Sequence, residues 1–444
     1  MNTNQRYQVT IEDLGEGGEG ICRVDSLTVF VPEVVLGDQV EIEIIQLKKN
    51  YAIGRVTRLI ESSPLRTASP CPDFPECGGC QLLDMAYSAQ LNWKQQHLAQ
   101  VLQRIGGIEM AIEPIIGMDS PWHYRNKMTY PLNQSQVGLY RRGSHDIVEI
   151  RDCQVHPPGV GKILEIVRDH LGRTVEGYNE KTHRGGLRHV MVRHAADKNQ
   201  LMIVLVTCDK TDLTPLINEL SAIPNVRSIL ENKNRNRGNR ILGHETTTLY
   251  GDGVIEEVLG GDVFAIDPHS FYQVNTVQLK KLYHLVREFA DLSGDELLYD
   301  IYAGMGTIGT YLSRDCRQVV SIEVVPQAID AGIKAAKENQ VGNIDFILGQ
   351  AETIIDQLNQ QGQKPDIVVV DPPRKGLDQQ LIESLLEIRP EKIIYVSCKP
   401  STLARDLKLL TAGEYIVQRI RPVDLFPHTT HVETVVLMSK KVRT

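Results

Sequence analysis

The amino-acid sequence predicts an α/β protein that comprises a small all-β unit, a central α+β region and a C-terminal parallel sheet with crossover helices. Short apolar runs separated by glycine-rich turns fill the first 60 residues, which is typical of a small barrel. From residue 271 onward, strand-like and helix-like segments alternate, and this alternation indicates βαβ units. A chain of 444 residues is long enough for several domains. We predict three, with limits at 1–60, 61–270 and 271–444.

The composition restricts the class of protein. The 48 Lys and Arg residues against 56 Asp and Glu residues give a net charge of -8, which argues against a uniformly basic protein but allows a local basic face. No run approaches the roughly 18 apolar residues of a membrane span, and residues 1–10 lack an apolar signal core. The sequence thus predicts a soluble, cytoplasmic protein with no membrane partner, and a monomer is favoured. In that reducing compartment, its eight cysteines are expected to bind metal, act in catalysis or be buried.

The N-terminal unit combines tight turns with short strands. Glycines at positions 15, 17, 18 and 20 suit the turns, and strands are predicted at Leu27–Pro32, 40–45 and Tyr51–Ile60. Residues 83–106 then predict a helix that ends at Gly106 and Gly107. Its apolar face comprises Leu91, Leu98, Val101, Leu102 and Ile105.

The central and C-terminal regions differ in their periodicity. The central region alternates turn-rich pieces with strands at His189–Arg193 and Leu201–Val206. The C-terminal region predicts an Ala- and Lys-rich helix at Gln327–Asn339. Its strands are predicted at Leu297–Ile301, Val319–Glu323, Asp345–Leu348, Ile367–Asp371 and Ile393–Cys398.

Four cysteines suggest a metal site. Cys71, Cys77 and Cys80 lie within ten residues, and Cys153 follows far downstream. Four thiolates can close a tetrahedral zinc site or hold an iron–sulfur cluster, and spacing alone does not separate these two readings. Free thiols are a third reading. Cys22, Cys208 and Cys316 are predicted to be structural residues.

A glycine loop follows the first strand of the C-terminal region. Asp300-Ile-Tyr-Ala-Gly304-Met-Gly306 places glycines between a strand end and a helix start, where a ligand can approach free amide donors. Glu323 closes the second strand, where a carboxylate can accept hydrogen bonds from both ribose hydroxyls. Gly309 is out of register for the dinucleotide fingerprint, so the pattern favours a mononucleoside ligand such as S-adenosylmethionine over NAD. Another Rossmann-like protein remains the alternative.

Two further strand ends carry reactive groups. Asp371-Pro-Pro-Arg-Lys-Gly follows one strand, and its prolines hold Asp371 toward the crevice beyond the sheet, while Arg374 and Lys375 could meet phosphate. Cys398 ends another apolar strand at the same rim, where a thiol is placed to attack a bound ligand. The alternatives are an isolated turn for the first motif and an inert buried thiol for the second.

A carboxylate enters an apolar strand in His428-Thr-Thr-His431-Val-Glu433-Thr-Val-Val. Burial of Glu433 is costly unless it is paired or functional, and it would favour proton acceptance near neutral pH. The two histidines could suggest a metal site, but the sequence offers no third ligand nearby. A solvated loop is the alternative.

Positive charge is concentrated in two central segments. The segment 181–193 carries Lys181, Arg184, Arg188 and Arg193 without an acid, and a second cluster comprises Lys233, Arg235, Arg237 and Arg240. Such patches can grip phosphates, although solvated loop charge is the alternative. The pair Arg141-Arg142 is a third candidate.

Together these motifs resemble the RNA uracil-5-methyltransferase family, and more closely its 23S rRNA branch, over nearly the whole chain. The resemblance implies an N-terminal TRAM domain, an OB-like barrel that binds RNA, followed by a central domain that recognises RNA. It implies a C-terminal Rossmann-like, S-adenosylmethionine-dependent methyltransferase domain. The expected product is 5-methyluridine in 23S rRNA, with tRNA as the alternative substrate. A non-catalytic RNA-binding assembly factor is the alternative from another class.

The resemblance also implies residue roles. Cys398 would add to C6 of the target uracil, and Glu433 would remove the proton from C5. Contacts to S-adenosylmethionine would come from Gln273, Tyr302, Glu323 and Asp371. The four clustered cysteines, Cys71, Cys77, Cys80 and Cys153, would hold a [4Fe–4S] cluster with a structural or RNA-contacting role, with zinc as the alternative. Cytosine-modifying relatives carry a second cysteine beside the Asp-Pro motif, and its absence here favours uracil.

Overall fold

A computed structural model describes residues 1–441 of the chain, and its N-terminal part is a curled sheet. The strands are β1 (Arg6–Thr10), β2 (Asp13–Leu14), β3 (Gly20–Val24), β4 (Leu27–Val31), β5 (Gln39–Leu47) and β6 (Tyr51–Glu61). They form one sheet in the order β1-β5-β6-β4-β3-β2. β1 also approaches β3 near the opposite edge, so the sheet closes around its core. Val29, Val31 and Ile42 are fully buried inside it, as the alternating pattern predicts.

The long helix of the N-terminal half begins later than predicted. α1 spans Tyr87–Val101 and continues as a π-helical turn at Leu102–Gly106. Residues 83–86 are not helical, because Met85 and Ala86 donate their N–H groups to Leu82 and Leu65 instead of to a helical ladder. The predicted end at Gly106 is confirmed, and Gly107 takes the left-handed conformation there with a φ of 66°. Within the predicted apolar face, Ile105 is exposed.

The central region contains a five-stranded sheet and two hairpins. Its elements are β7 (Lys127–Pro131), β8 (Gly138–Tyr140), β9 (Ile147–Glu149), α2 (Val160–His170), β10 (Leu187–Ala195), β11 (Gln200–Thr207), α3 (Thr214–Ser221), β12 (Val226–Lys233), β13 (Glu245–Gly251), β14 (Ile255–Leu259) and β15 (Asp262–Ile266). The sheet order is β13-β12-β11-β10-β7, and β8-β9 and β14-β15 are separate hairpins. α2 and α3 cover one face of the sheet through an apolar core. The predicted α+β character is confirmed.

The C-terminal region is a doubly wound α/β sheet. Its elements are α4 (Thr276–Ala290), β16 (Leu297–Ile301), α5 (Thr307–Leu312), β17 (Gln318–Glu323), α6 (Pro326–Glu338), β18 (Ile344–Leu348), α7 (Ala351–Gln360), β19 (Ile367–Val370), α8 (Gln379–Ile388), β20 (Lys392–Ser397), α9 (Pro400–Ala412), β21 (Tyr415–Val423) and β22 (Glu433–Lys440). The order is β18-β17-β16-β19-β20-β22-β21. The first five strands are parallel, and β22 enters antiparallel between β20 and β21. The predicted parallel α/β sheet is confirmed; residues 442–444 of the predicted third domain lie outside the described residues.

Packing crosses the proposed domain limits. Leu98 and Leu102 belong to the same apolar core as Tyr299 of β16, so α1 packs on the C-terminal sheet. Phe264 of β15 shares a core with Leu279 of α4. The central region therefore holds the C-terminal sheet through continuous apolar contact. Within residues 1–441, no helix is both long and apolar enough to cross a membrane.

Candidate active site

The carboxyl ends of the parallel strands form one edge of the C-terminal sheet. Tyr302 follows β16, Glu323 ends β17, Asp371 follows β19 and Cys398 follows β20. The strand order reverses around β16, which lies between β17 and β19. In open α/β sheets the crevice at such a reversal point is where ligands bind. Four of the six predicted catalytic and cofactor residues therefore lie along one crevice.

The glycine loop after β16 is held by a buried carboxylate. Asp300 is 1% exposed, and its Oδ2 accepts the Gly309 N–H at 2.9 Å. Burial raises the pKa of Asp300 to about 7. Gly306 caps α5 with a φ of 71°, and a Cβ there would lie 2.5 Å from the Phe346 ring. The loop consequently needs glycine at this position for both conformation and space.

Tyr302 directly follows β16 at the start of that loop, and Glu323 is hydrogen-bonded to the loop. Tyr302 has a φ of 62°, an uncommon conformation for a residue with a side chain, and such strain clusters at functional sites. Its hydroxyl donates to Glu352 Oε1 at 3.4 Å. Glu323 Oε2 accepts the Gly304 N–H at 2.9 Å. This bond fixes the carboxylate over the glycine loop, within reach of a nucleoside that occupies it.

Gln273 lies in the segment that leads into α4. Its carbonyl accepts a hydrogen bond from Asn126 Nδ2 at 2.9 Å, and Asn275 caps α4 while donating to Leu425 O at 3.0 Å. These bonds pin the segment against the loop after β21. Within residues 1–441 the Gln273 side chain makes no hydrogen bond to Tyr302, Glu323 or Asp371, so the structure does not join it directly to the other predicted cofactor residues.

Cys398 and Glu433 are neighbours on adjacent antiparallel strands. Ser397 of β20 pairs with Thr434 of β22, so the next position along each strand brings Cys398 beside Glu433. Glu433 is 2% exposed, and burial followed by the nearby Asp371 raises its pKa to about 8. Burial followed by Glu433 and Asp371 raises the pKa of Cys398 to about 11. Arg374 opposes both shifts.

Asp371, Cys398 and Glu433 form one electrostatic cluster with Arg374. Within it, an ionised acid disfavours ionisation of the acidic group beside it. Asp371 has its own pKa raised to about 7, first by burial and then by Asp300. The sequence predicted that Arg374 contacts a phosphate. In the structure its Nη2 lies 3.1 Å from His431 Nε2, and its charge opposes the rise in the pKa of Glu433. Arg374 is thus an active-site residue that sequence reasoning placed in another role.

The loop between β21 and β22 delivers Glu433, and a buried ion pair anchors it. Lys94 and Asp424 are both fully buried, and their Nζ and Oδ1 atoms are 2.6 Å apart. Lys94 also donates to Phe426 O at 3.0 Å, and the Tyr87 hydroxyl donates to Asp424 Oδ2 at 2.8 Å. Removing one partner of such a pair leaves a buried charge uncompensated. α1 therefore sets the position of the loop, a role that nothing in its sequence pattern indicated.

The two histidines of the loop have structural partners. His428 stacks on Trp122 with ring centroids 4.2 Å apart, and its Nε2 lies 3.0 Å from Pro121 O. Burial followed by Arg374 lowers the pKa of His431 to about 4, which keeps the ring neutral beside the guanidinium. Across residues 1–441, no group of three His, Cys, Asp or Glu side chains is assembled to hold a metal ion. The suggestion of a histidine metal site has no support in this geometry.

The four clustered cysteines line one cavity of about 710 Å³. Burial raises the pKa of Cys80 well above its usual value, and Cys153, Cys77 and Cys71 add to that shift in this order. The thiols are therefore close enough to interact, although they are not gathered around a single point. Cys22, Cys208 and Cys316 are buried elsewhere, as predicted.

Backbone hydrogen bonds connect this cavity to the crevice on two sides. Directly after Cys80, the N–H groups of Gln81 and Leu82 donate to His428 O at 2.9 and 3.0 Å. On the other side, Val155 O accepts from Arg125 N, and the following Asn126 donates to Val274 O at 2.8 Å. The cysteine cavity thereby adjoins the supports of both the Glu433 loop and the Gln273 segment.

Comparison with known proteins finds matches along the whole chain. A family model described as tRNA (Uracil-5-)-methyltransferase matches residues 262–441, and a TRAM domain model matches residues 2–57. An uncharacterized RNA methyltransferase from Clostridium tetani is 43% identical, over 99% of this chain and 97% of the relative. One from Halalkalibacterium halodurans is 41% identical, over 99% of this chain and 98% of the relative.

A solved structure is similar over nearly the full length. The crystal structure of Pyrococcus abyssi tRNA (uracil-54, C5)-methyltransferase in complex with S-adenosyl-L-homocysteine superposes with a TM-score of 0.79 at 27% identity. The alignment covers 97% of this chain and 100% of that chain. The TRAM prediction and the methyltransferase fold prediction are both confirmed.

Proposed function

Because the chain belongs to the RNA uracil-5-methyltransferase family and is an S-adenosylmethionine-dependent RNA methyltransferase, we propose that it converts a uridine of 23S rRNA to 5-methyluridine through a covalent Cys398 adduct. The observation that carries this mechanism is the position of Cys398 beside the buried Glu433 at the crevice. A soft nucleophile and a carboxylate base on adjacent strands are the two groups that substitution at C5 of uracil requires.

The chemistry explains both residue types. C5 of uracil is a poor nucleophile until the Sγ of Cys398 bonds to C6 and pushes the ring electrons toward C5. C5 then bonds to the electrophilic methyl group that bound S-adenosylmethionine would supply, and S-adenosylhomocysteine is the leaving group. Glu433 then takes the proton from C5, the C5–C6 double bond reforms, and Sγ leaves as a thiolate. The target uridine must be flipped out of any helix to reach this crevice.

The proposal assigns four residues to the cofactor. Glu323 is fixed over the glycine loop, where its carboxylate can accept from ribose hydroxyls once a nucleoside displaces the Gly304 bond. Tyr302 flanks that loop, and Asp371 lies between it and Cys398. Gln273 is assigned by the family resemblance and by its position in the pinned segment before α4.

Two RNA classes compete as substrate. The resemblance of the TRAM and cysteine-bearing architecture favours 23S rRNA, whereas the matched family model and the Pyrococcus abyssi protein are both described as tRNA enzymes. We expect tritiated methyl groups to pass from S-adenosylmethionine to unmodified 23S rRNA transcripts and not to tRNA transcripts. Methyl transfer to tRNA transcripts alone would show that the substrate is tRNA and not 23S rRNA. RNA binding without any transfer would favour a non-catalytic assembly factor.

We further propose that Cys71, Cys77, Cys80 and Cys153 hold a [4Fe–4S] cluster with a structural role. Four thiols around one cavity are the ligand set that such a cluster uses. Within residues 1–441 the four thiols are not gathered as a metal ion would hold them, so the choice of the cluster over zinc rests on the family resemblance. Methyl transfer needs no electron, so the cluster is not assigned a chemical step.

Cys80→Ser is expected to remove the cluster and loosen the active site. The residue directly precedes the two N–H groups that hold His428, so loss of its ligand bond frees the loop that carries Glu433. We expect the anaerobically purified variant to lose bound iron, sulfide and visible absorption, and to melt several degrees lower, on the order of 2–5 kcal/mol less stable.

Cys208→Ser is the matched control, because Cys208 is also buried but lies outside the cavity. It should keep wild-type iron and sulfide. Stoichiometric zinc without iron in the wild-type protein would contradict the cluster and restore the zinc alternative.

A further inference from the structure

Two basic segments that are separate in the sequence meet on one face of the central region. Arg188 donates Nη1 to Asn236 O at 2.6 Å and Nη2 to Gly238 O at 3.0 Å. These bonds tie the loop between β12 and β13 to the start of β10, which directly follows the turn that carries Lys181 and Arg184. The guanidinium also lies 5.0 Å from the centroid of the Tyr178 ring. Arg188 is thus the internal support of the face rather than one of its exposed cations.

Both segments are ordered by their own hydrogen bonds. Asn179 N donates to Arg184 O at 2.7 Å, which closes the turn. Asn234 Nδ2 donates to Arg240 O and Ile241 O at 2.6 and 2.8 Å, which closes the loop. The exposed cations on this framework therefore have fixed anchors, so less conformational entropy is lost when they bind a ligand. We call this framework and its cations Lys181, Arg184, Arg235, Arg237 and Arg240 the arginine face.

The cations of the arginine face are exposed and unneutralised. Within the described part of the chain, none of the five forms an ion pair with a carboxylate, whereas nearby Lys233 pairs with Glu245 at 3.8 Å. Positive charge from both segments reaches the same place: burial and then Asp209 raise the pKa of the Cys208 thiol, and Arg188, the support of the face, opposes that rise together with Arg235 and Arg184. Three guanidinium groups from two segments therefore act on one site, in a protein whose net charge is -8.

The arginine face is connected to the active site by β10. Arg188 lies near the start of that strand, and Arg193 lies five residues further, roughly 16 Å along it. Arg193 is 2% exposed and donates to Asp267 O and Ser270 O, directly before the segment that contains Gln273. A ligand that is held by the arginine face and reacts at the crevice must therefore be an extended one.

We propose that the arginine face is a docking surface for the phosphate backbone of the substrate RNA, which it holds at a distance from the reacting uridine. Guanidinium groups fit phosphate bidentately, and several unpaired ones on a fixed framework match a phosphate series. This inference rests on the proposed function for the identity of its ligand. It adds a contact that would position a long RNA without touching the target base.

The test compares binding of transcribed 23S rRNA across a series of salt concentrations. A variant with Arg184→Gln, Arg235→Gln and Arg237→Gln should bind at least about tenfold more weakly at low salt. Its slope of log affinity against log salt should be shallower by about 2 to 3, since each lost phosphate contact contributes about 0.9. Its affinity for S-adenosylhomocysteine should be unchanged, because the face lies outside the crevice.

Two control variants test whether the position of the lost charge matters, rather than the total charge or the folding of the protein. Lys337→Gln, Lys364→Gln and Lys408→Gln remove the same charge from exposed positions on the C-terminal region, and the salt slope should stay at the wild-type value. Replacement of the three arginines by lysine keeps the charge, so the slope should be retained while affinity falls less. The proposal is overturned if the variant with Arg184→Gln, Arg235→Gln and Arg237→Gln binds RNA with wild-type affinity and slope. It is also overturned if that variant loses binding of polyglutamate but keeps binding of RNA.

A failure of the proposed function would give a different combination of results from a failure of the docking surface. If the wild-type protein transfers no methyl group to any RNA, yet the glutamine variant shows the weaker binding and shallower slope, the docking surface stands and the assigned reaction falls. If transfer occurs and the variant binds normally, the reaction stands and the docking surface falls.

Discussion

Cys398→Ala is expected to abolish methyl transfer, with a loss on the order of 10⁴-fold or more. Without the thiol, the proposed nucleophile for C6 is missing, so C5 stays too electron-poor to accept a methyl group. Tritium transfer to transcribed 23S rRNA under single-turnover conditions measures the loss. The RNA–protein adduct that survives denaturing gel electrophoresis should disappear with it.

Cys316→Ser is the matched control for this variant. Cys316 precedes β17 at the opposite end of the strands from the crevice, and within residues 1–441 the hydrogen bonds of its Sγ go to backbone carbonyls, which a hydroxyl can also reach. Transfer should remain within about twofold of the wild type. The Cys398→Ala protein should still bind S-adenosylhomocysteine, because Glu323 and the glycine loop are intact. If it bound normally and methylated RNA at the wild-type rate, the nucleophile would have to be another group.

The crevice was predictable because the carboxyl ends of parallel strands lie at the same edge of a sheet. The strand prediction at Leu297–Ile301 is confirmed residue for residue, and the one at Val319–Glu323 differs by a single residue at its start. Once those ends are known, side chains that follow them must converge. Cys398 and Glu433 are a different case, because their proximity depends on β22 entering antiparallel beside β20, which periodicity alone does not show.

The supports of the site could not be predicted, because they join distant parts of the chain. Lys94 and Asp424 are separated by 330 residues, and neither stands in a motif. The late start of α1 has a similar cause, since Ala86 donates its N–H to Leu65 O, which lies outside the helix and 21 residues earlier in the chain. Local propensity does not contain such tertiary contacts.

Charge in a sequence also does not tell whether a side chain is exposed. The segment 181–193 suggested four phosphate-binding cations, but Arg193 is buried and bonded to Asp267 and Ser270, and Arg188 supports a loop. Only Lys181 and Arg184 of that set are exposed. The buried Arg193 guanidinium has carbonyl acceptors and the charge of Asp267 nearby, so an arginine run can be divided between core and surface.

Glu433→Gln is expected to trap the covalent intermediate. The amide fills the same buried space but does not accept the C5 proton, so Cys398 adds, the methyl group transfers, and elimination stops. Turnover should be lost while about one methyl group per protein molecule stays in a stable RNA–protein adduct. In the wild type, release should accelerate as the pH rises through about 8, because the base must be ionised and its pKa is raised to about 8. Freely released product from the variant would exclude proton abstraction by Glu433.

The same variant tests the coupling between Glu433 and Cys398 without any RNA. At about pH 9 the buried carboxyl is mostly ionised and the thiol mostly protonated, since the pKa of Cys398 is raised to about 11 partly by the Glu433 charge. Removal of that charge lowers the pKa of the thiol, so iodoacetamide should alkylate Cys398 faster in Glu433→Gln than in the wild type. Glu383→Gln on α8 is the control, because Glu383 is exposed and, within residues 1–441, its carboxylate accepts a hydrogen bond from Gln379 alone, so its rate should match the wild type. Unchanged or slower alkylation in Glu433→Gln would mean that the two groups do not interact as their positions on adjacent strands require.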